Sequence, residues 1–314
     1  MTDNAPWRLL LGPQRPVANF GKAVTSISTG DEPIAVISAG WQEAEGDIDD
    51  VRQHVPNPLH DLNLYQRADQ LFANDNSLRD AYRARQDQLI EQQQMYRLRL
   101  RHLTIAARGI LRAEGSVSAI ADERRHAISQ LRALDKHHLR QIRKINSRYD
   151  EHFNQARHTA LAENIAEIRE QLNGVNTILI TGGNVVVLMN RLSLFELKPA
   201  LKERNIVAWS AGAMVLCDRI VLFHDRLPQG RRDAEVMGEG LGLVTDTVIL
   251  PDAENRIRNN DLVRTSLFGR RFSPATCLTL DNGSALHVRQ GKIRYCESVR
   301  HVSRDGRLIA VNAA

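Results

Sequence analysis

Residues 205–216 read NIVAWSAGAMVL and set one serine, Ser210, between an apolar run and the small residues Ala211, Gly212 and Ala213. A serine on a sharp strand-to-helix turn is held in strained backbone geometry, and bulky neighbours would collide there. The turn aims the hydroxyl away from the sheet and leaves the next backbone N–H free to hold an oxyanion. That is nucleophile chemistry, with Ser210 attacking a carbonyl carbon and the Ala211 N–H as one oxyanion donor. A second donor comes from TGGN (181–184), whose glycines let the backbone approach; the Gly183 N–H is the candidate. The same spacing also describes a tight strand–helix junction with a capping serine, and the stretch alone does not separate the two.

A serine needs a base to take its proton. After Ser210 the chain has three histidines, His224, His287 and His301. His224 in LFHD is the provisional base, with Asp225 beside it. Adjacent strand residues point to opposite faces, so a strand would keep these two from pairing. His287 falls in a predicted strand and reads as structural. Asp252 and Glu254 are carboxylates that could serve as a base only with a raised pKa.

The elements that must position these residues alternate. PIAVISAGW (33–41) and TILITGGN (177–184) read as buried parallel strands, VVVLMNRLSLFELKPALKE as helix, and AMVLCDRIVLF as the start of another. Strands around 243–250, 275–288, 292–299 and 307–311 follow, the last joined by short turns. Such alternation predicts an α/β fold, a mostly parallel sheet with helices on both faces. Between these halves no proline occurs from Pro58 to Pro199, and the composition turns to Gln, Arg, Ala, Leu and Glu. That predicts two long helices, near 77–113 and 118–172, joined by EGSVS. In the second, Ile142, Ile145, Tyr149, His152, Ala156 and Thr159 keep a 3-4 spacing, a seam offering itself to the hairpin partner or to a second copy in a homodimer. The expected organisation is an α/β domain from 1–60 and 173–314 with a projecting helical hairpin inserted at 61–172. The histidines of the insertion, His102, His126, His137, His138, His152 and His158, read as solvated surface.

Two motifs in order carry a resemblance. TGGNVVVLMNRL and AWSAGAMVL resemble the peptidase S51 family, the cyanophycinase and dipeptidase E group within the class I glutamine amidotransferase-like fold. LDNGSALHV resembles that family's late segment. The resemblance covers about 175–290 well, 33–41 loosely and the hairpin not at all. It implies Ser210 as nucleophile, Gly183 and Ala211 as the oxyanion pair, and a peptide or small-molecule amide as substrate. Three departures stand out. Ala208 replaces the first glycine of the elbow. Leu250, Pro251 and Asp252 occupy the place of the cyanophycinase-type histidine. Asn282 stands where its orienting glutamate would be, while Asp225 falls on the aspartate position of the dipeptidase E branch. Asn184, Asp252, Glu254 and Asn282 are expected around the substrate. Three functions stay open: a serine hydrolase of peptide or amide bonds; an inactive relative that binds a small molecule or peptide; an interaction protein working through its hairpin.

Composition narrows the partners. The formal charge is +5 and the arginine excess fits solvated helices. No aromatic-interleaved basic cluster appears, so nucleic acid is not an expected partner. No run approaches the ~18 apolar residues of a membrane helix. Cys217, Cys277 and Cys296 are odd in number and show no CxxC pairing, which suits a reducing cytoplasm. MTDNAPWRLLLGPQRP carries no cleavage-like signal. No phosphate loop, dinucleotide fingerprint or metal-ligand cluster is seen, so neither cofactor nor metal is expected.

Overall fold

A computed structural model of the chain describes residues 5–28, 31–153, 158–224 and 232–312. Short apolar runs form the strands of the first part: β1 (Trp7–Leu11), β2 (Ile34–Ile37) and β3 (Leu59–Asp61), with α1 (Phe20–Thr25), a 3₁₀ segment (Ala39–Ala44) and α2 (Asp49–His54) between them. The helical stretch is α3 (Leu64–Asn74), α4 (Asn76–Arg112), α5 (Val117–His152) and α6 (Thr159–Gln171). Alternation resumes with β4 (Thr177–Ile180), α7 (Val185–Leu194), α8 (Lys198–Lys202), β5 (Asn205–Trp209) and α9 (Ala211–Val215). The chain ends with β6 (Arg219–His224), β7 (Arg232–Glu239), β8 (Thr247–Pro251), α10 (Ala253–Arg256), α11 (Leu262–Arg271), β9 (Thr276–Arg289), β10 (Lys292–Val302) and β11 (Leu308–Ala310).

The main sheet runs β11-β10-β9-β1-β5-β4-β2-β3, with β8 added on β9. β1, β5, β4, β2 and β3 are mutually parallel; β9, β10 and β11 pair antiparallel at one side. Period-two alternation splits the strand residues between two cores. Leu9, Leu11, Ile34, Val36, Leu179 and Val207 meet Phe20, Val24 and Val51 on one face. Leu10, Ala35, Ile37, Ile178, Ile180 and Ile206 meet Leu71, Ile165 and Leu188 on the other. All of the strand residues in both sets are fully buried.

The helical insertion departs from expectation in three ways. The second long helix ends at His152, and α6 starts afresh at Thr159. At the junction buried His158 contacts Asp75 at 2.6 Å, while Asp75 caps α4 by accepting from the Leu78 N–H. The absence of proline could not reveal this break, because a helix also ends where its terminal groups find other partners. Second, the hairpin does not project. Tyr96, Leu100 and Ala107 of α4 and Ala127, Leu131 and Leu134 of α5 share one core with Val236, Leu250 and Phe268. Two members of the predicted seam on α5 face the chain itself: Ile142 is buried and lies beside Gly238 of β7, and Arg85 of α4 lies over the Tyr149 ring. Ala156 of that seam falls outside the described residues. Third, His138 and His158 are buried, not solvated. His138 stacks on Tyr96 with ring centroids 4.0 Å apart.

The helix read from AMVLCDRIVLF is a single turn, and Arg219–His224 is strand, paired with β7 in a separate two-stranded ribbon. The ribbon packs against the hairpin, and its Val221, Phe223 and Val236 share the hairpin's core. Its β-branched and aromatic residues carried a strand signal that the preceding helical turn obscured.

Candidate active site

Ser210 joins β5 to α9 with φ 49° and ψ −113°, a left-handed backbone that non-glycine residues rarely adopt. Its N–H donates to the Leu11 carbonyl at 3.1 Å, and its carbonyl accepts from the Met214 N–H at 3.1 Å. The small residues around it are required by contact. A Cβ on Gly212 would stand 2.4 Å from the Ile180 carbonyl oxygen, and one on Gly182 would stand 3.2 Å from the Ser210 Cβ. The turn is therefore pressed onto the carboxyl end of β4.

The glycine loop is pressed in turn onto the loop after β2. Gly183 has φ 103°, and a Cβ there would lie 2.2 Å from the Gly40 carbonyl oxygen. The Asn184 N–H donates to that oxygen at 2.7 Å. Among the described residues, neither the Gly183 nor the Ala211 N–H donates a hydrogen bond. Gly183 lines the same cleft as Ser210, and Ala211 follows Ser210 in the chain.

These loops border a cleft of about 700 Å³ at the carboxyl ends of β1, β2, β4 and β5. That is where open α/β sheets take ligands. Ser210, Gly182 and Gly183 form its floor, Phe20, Trp41 and Trp209 its apolar wall, and Asp47, Asp50 and His54 its polar side. Phe20 stacks on Trp209 (5.0 Å) and meets the His54 ring at a tilt of 52° (5.2 Å). The His54 Nδ1 is 2.8 Å from the Asp50 carbonyl oxygen. Arg15 pairs with the Asp50 carboxylate at 2.6 Å, both well exposed.

His54, Asp47 and Asp50 were missed in the sequence, where QEAEGDIDD reads as an acidic turn. The available signal was topological, since a loop leaving the carboxyl end of a parallel strand faces the crevice. The expected site residues divide. Ser210 and Gly183 line the cleft. His224 ends β6, its ring against Phe223, and does not line it. Asp225 lies outside the described residues. Asp252 bonds to Asn255 and Arg256, and Glu254 to Arg300, away from the cleft lining.

Asn184 and Asn282 hold structure. The Asn184 Oδ1 accepts from the Val186 and Val187 N–H groups at the start of α7. The Asn282 Nδ2 donates to the carbonyls of Pro13 and Val17, fixing the loop that forms the cleft's outer wall. No side chain of the described residues hydrogen-bonds the Ser210 hydroxyl. Cys217 is fully buried, and burial pushes its thiol up to about 12, far from a thiolate nucleophile. Among the described residues no group of three metal-ligating side chains forms.

A search of curated proteins finds no match. Among solved structures the chain is similar to a peptidase from an acI-B1 Actinobacterium, with 13% identity, 96% of this chain and 91% of that chain covered, and a TM-score of 0.45. The family model described as Peptidase family S51 matches residues 144–296, which span the Ser210 turn and the glycine loop. By that match, residues 144–296 are similar to peptidase family S51, which supports a peptidase-type hydrolase in general.

Proposed function

We propose that the chain is a serine hydrolase of peptide or amide bonds, with Ser210 as nucleophile and a base that is not paired with it at rest. The observation that carries this reading is the φ of 49° at Ser210, backbone strain held at the floor of a cleft beside two N–H groups that donate no hydrogen bond among the described residues. In the proposed reaction Ser210 Oγ bonds to the carbonyl carbon while the hydroxyl proton passes to the base. The carbonyl oxygen takes hydrogen bonds from the Gly183 and Ala211 N–H groups. The amine leaves with a proton returned by the base, and water then cleaves the acyl–serine ester. Among the described residues, His54 is the histidine that lines the cleft. With Nδ1–H donated to the Asp50 carbonyl, its Nε2 keeps the lone pair. The Phe20 ring stands between His54 and Trp209, so the proton would travel through a bridging water.

A fluorophosphonate probe tests this. Labelling should be slow and lost in Ser210→Ala. It should fall about 10²–10⁴-fold in His54→Ala if His54 is the base. A loss in His224→Ala instead would move the base to β6. A second reading, a binding protein using the same cleft, is favoured by the lack of a hydrogen bond to the Ser210 hydroxyl. No labelling of the wild type, with saturable binding of a peptide terminus, would establish that reading.

A further inference from the structure

α4 is 37 residues long and buries one face only. Tyr96, Leu100, Thr104 and Ala107 point into the protein. On the opposite face Met95, Leu98 and Ile105 are 52%, 58% and 57% exposed. They belong to a 3-4-3 run continued by exposed Gln88 and Glu91 on one side, and by His102 between Leu98 and Ile105. This is the a/d spacing of a coiled coil, without a partner among the described residues.

We propose that this face binds a second copy of the chain, α4 against α4 in an antiparallel, two-fold arrangement. An isologous contact must be self-complementary, and the charge pattern meets that demand in one register. With the two-fold axis between Met95 and Leu98, Met95 faces Leu98 of the second copy, Glu91 faces its His102, and Gln88 faces its Ile105. Ala84, also exposed, then meets Gly109, small on small, where the backbones can approach. At the flanks Arg99 falls opposite Gln92 and Arg101 opposite Gln94. Sliding by one seam step, to centre the axis between Leu98 and His102, would put Arg99 and Arg101 against their own copies. A parallel pairing would put Glu91 on Glu91. Like charges facing one another at such positions oppose association. The antiparallel register from Ala84 to Gly109 makes a seam roughly 37 Å long at 1.5 Å per residue.

Sedimentation equilibrium of the full chain should show a dimer at tens of micromolar. Met95→Glu combined with Leu98→Glu should weaken it at least tenfold, leaving helical content by circular dichroism unchanged because both side chains are exposed. Register is read by crosslinking. Residues 91 and 102 are roughly 16 Å apart on one helix and cannot pair within a chain. Glu91→Cys with His102→Cys should therefore give a disulfide-linked dimer, and Glu91→Cys with Gly109→Cys should not. A monomeric wild type, a dimer indifferent to the two glutamates, or crosslinking only through the 91/109 pair would each overturn the proposal.

Discussion

At Ser210 the local chain dictates geometry, and geometry can be tested one atom at a time. A methyl group on Gly212 would meet backbone oxygens of Ile180 and Thr181 at 2.4 and 2.7 Å, neither of which can rotate away. Gly212→Ala should cost about 1–3 kcal/mol in urea denaturation and abolish probe labelling by moving the turn. His138 offers a second test. Burial pushes its pKa down to about 4, against the partial opposition of Asp135 and Glu235. The unfolded chain takes up the proton below about 6.5 and the folded chain does not, so stability present above that pH is lost as pH falls towards 4. At 1.36 kcal/mol per unit this amounts to roughly 2–3 kcal/mol. The urea midpoint of the wild type should therefore fall more between pH 7 and pH 4.5 than that of His138→Phe. What could be read from sequence at this scale was the strained turn at Ser210, because AGA and GG report backbone constraints that neighbours in sequence impose. The histidine of the cleft was not legible, because His54 reaches it from α2 through a fold, not through a motif.

At the level of elements, one cluster explains why the hairpin lies against the sheet. Arg271 of α11 makes a two-pronged ion pair with Asp135 of α5, at 2.7 and 2.6 Å. Arg271 also donates to the Tyr96 hydroxyl of α4, which itself donates to Asp135 and accepts from the Val236 N–H of β7. All three side chains are nearly inaccessible. Asp135→Ala would strand the Arg271 charge and should cost about 3–5 kcal/mol. Asp135→Leu with Arg271→Met should cost clearly less, and denaturant midpoints of the two variants would show the difference. Gly109 is the opposite case. A Cβ there meets nothing within 4 Å, so Gly109→Ala should raise stability by up to about 1 kcal/mol through helix propensity. The long helices were legible from composition and the parallel strands from apolar runs. Their docking was not, because a buried Asp, Tyr and Arg scattered over 96, 135 and 271 look like surface residues until the elements meet.

For the molecule as a whole, the insertion and the sheet share a core, so they should not come apart cleanly. Excising 76–152 and bridging the ends would uncover Val236, Phe268 and the Arg271 guanidinium together. The shortened protein should collect in the insoluble fraction on expression, whereas an autonomous insertion would leave it soluble. The sheet order has a consequence for how the chain is made. β1 lies in the middle of the sheet, with Arg8 opposite Ile206 of β5 and Trp7 opposite Arg289 of β9. A ribosome delivers β1 nearly two hundred residues before β5 and nearly three hundred before the part of β9 that pairs with it. Until then the strand has both edges open, and the Ser210 turn, whose N–H bonds to the end of β1, has no anchor. The α4–α5 hairpin, built from near neighbours in the chain, can form long before. The nascent protein is thus a finished helical arm waiting for an unfinished cleft floor, and it acquires its strained Ser210 turn only once β5 has been made and has met β1.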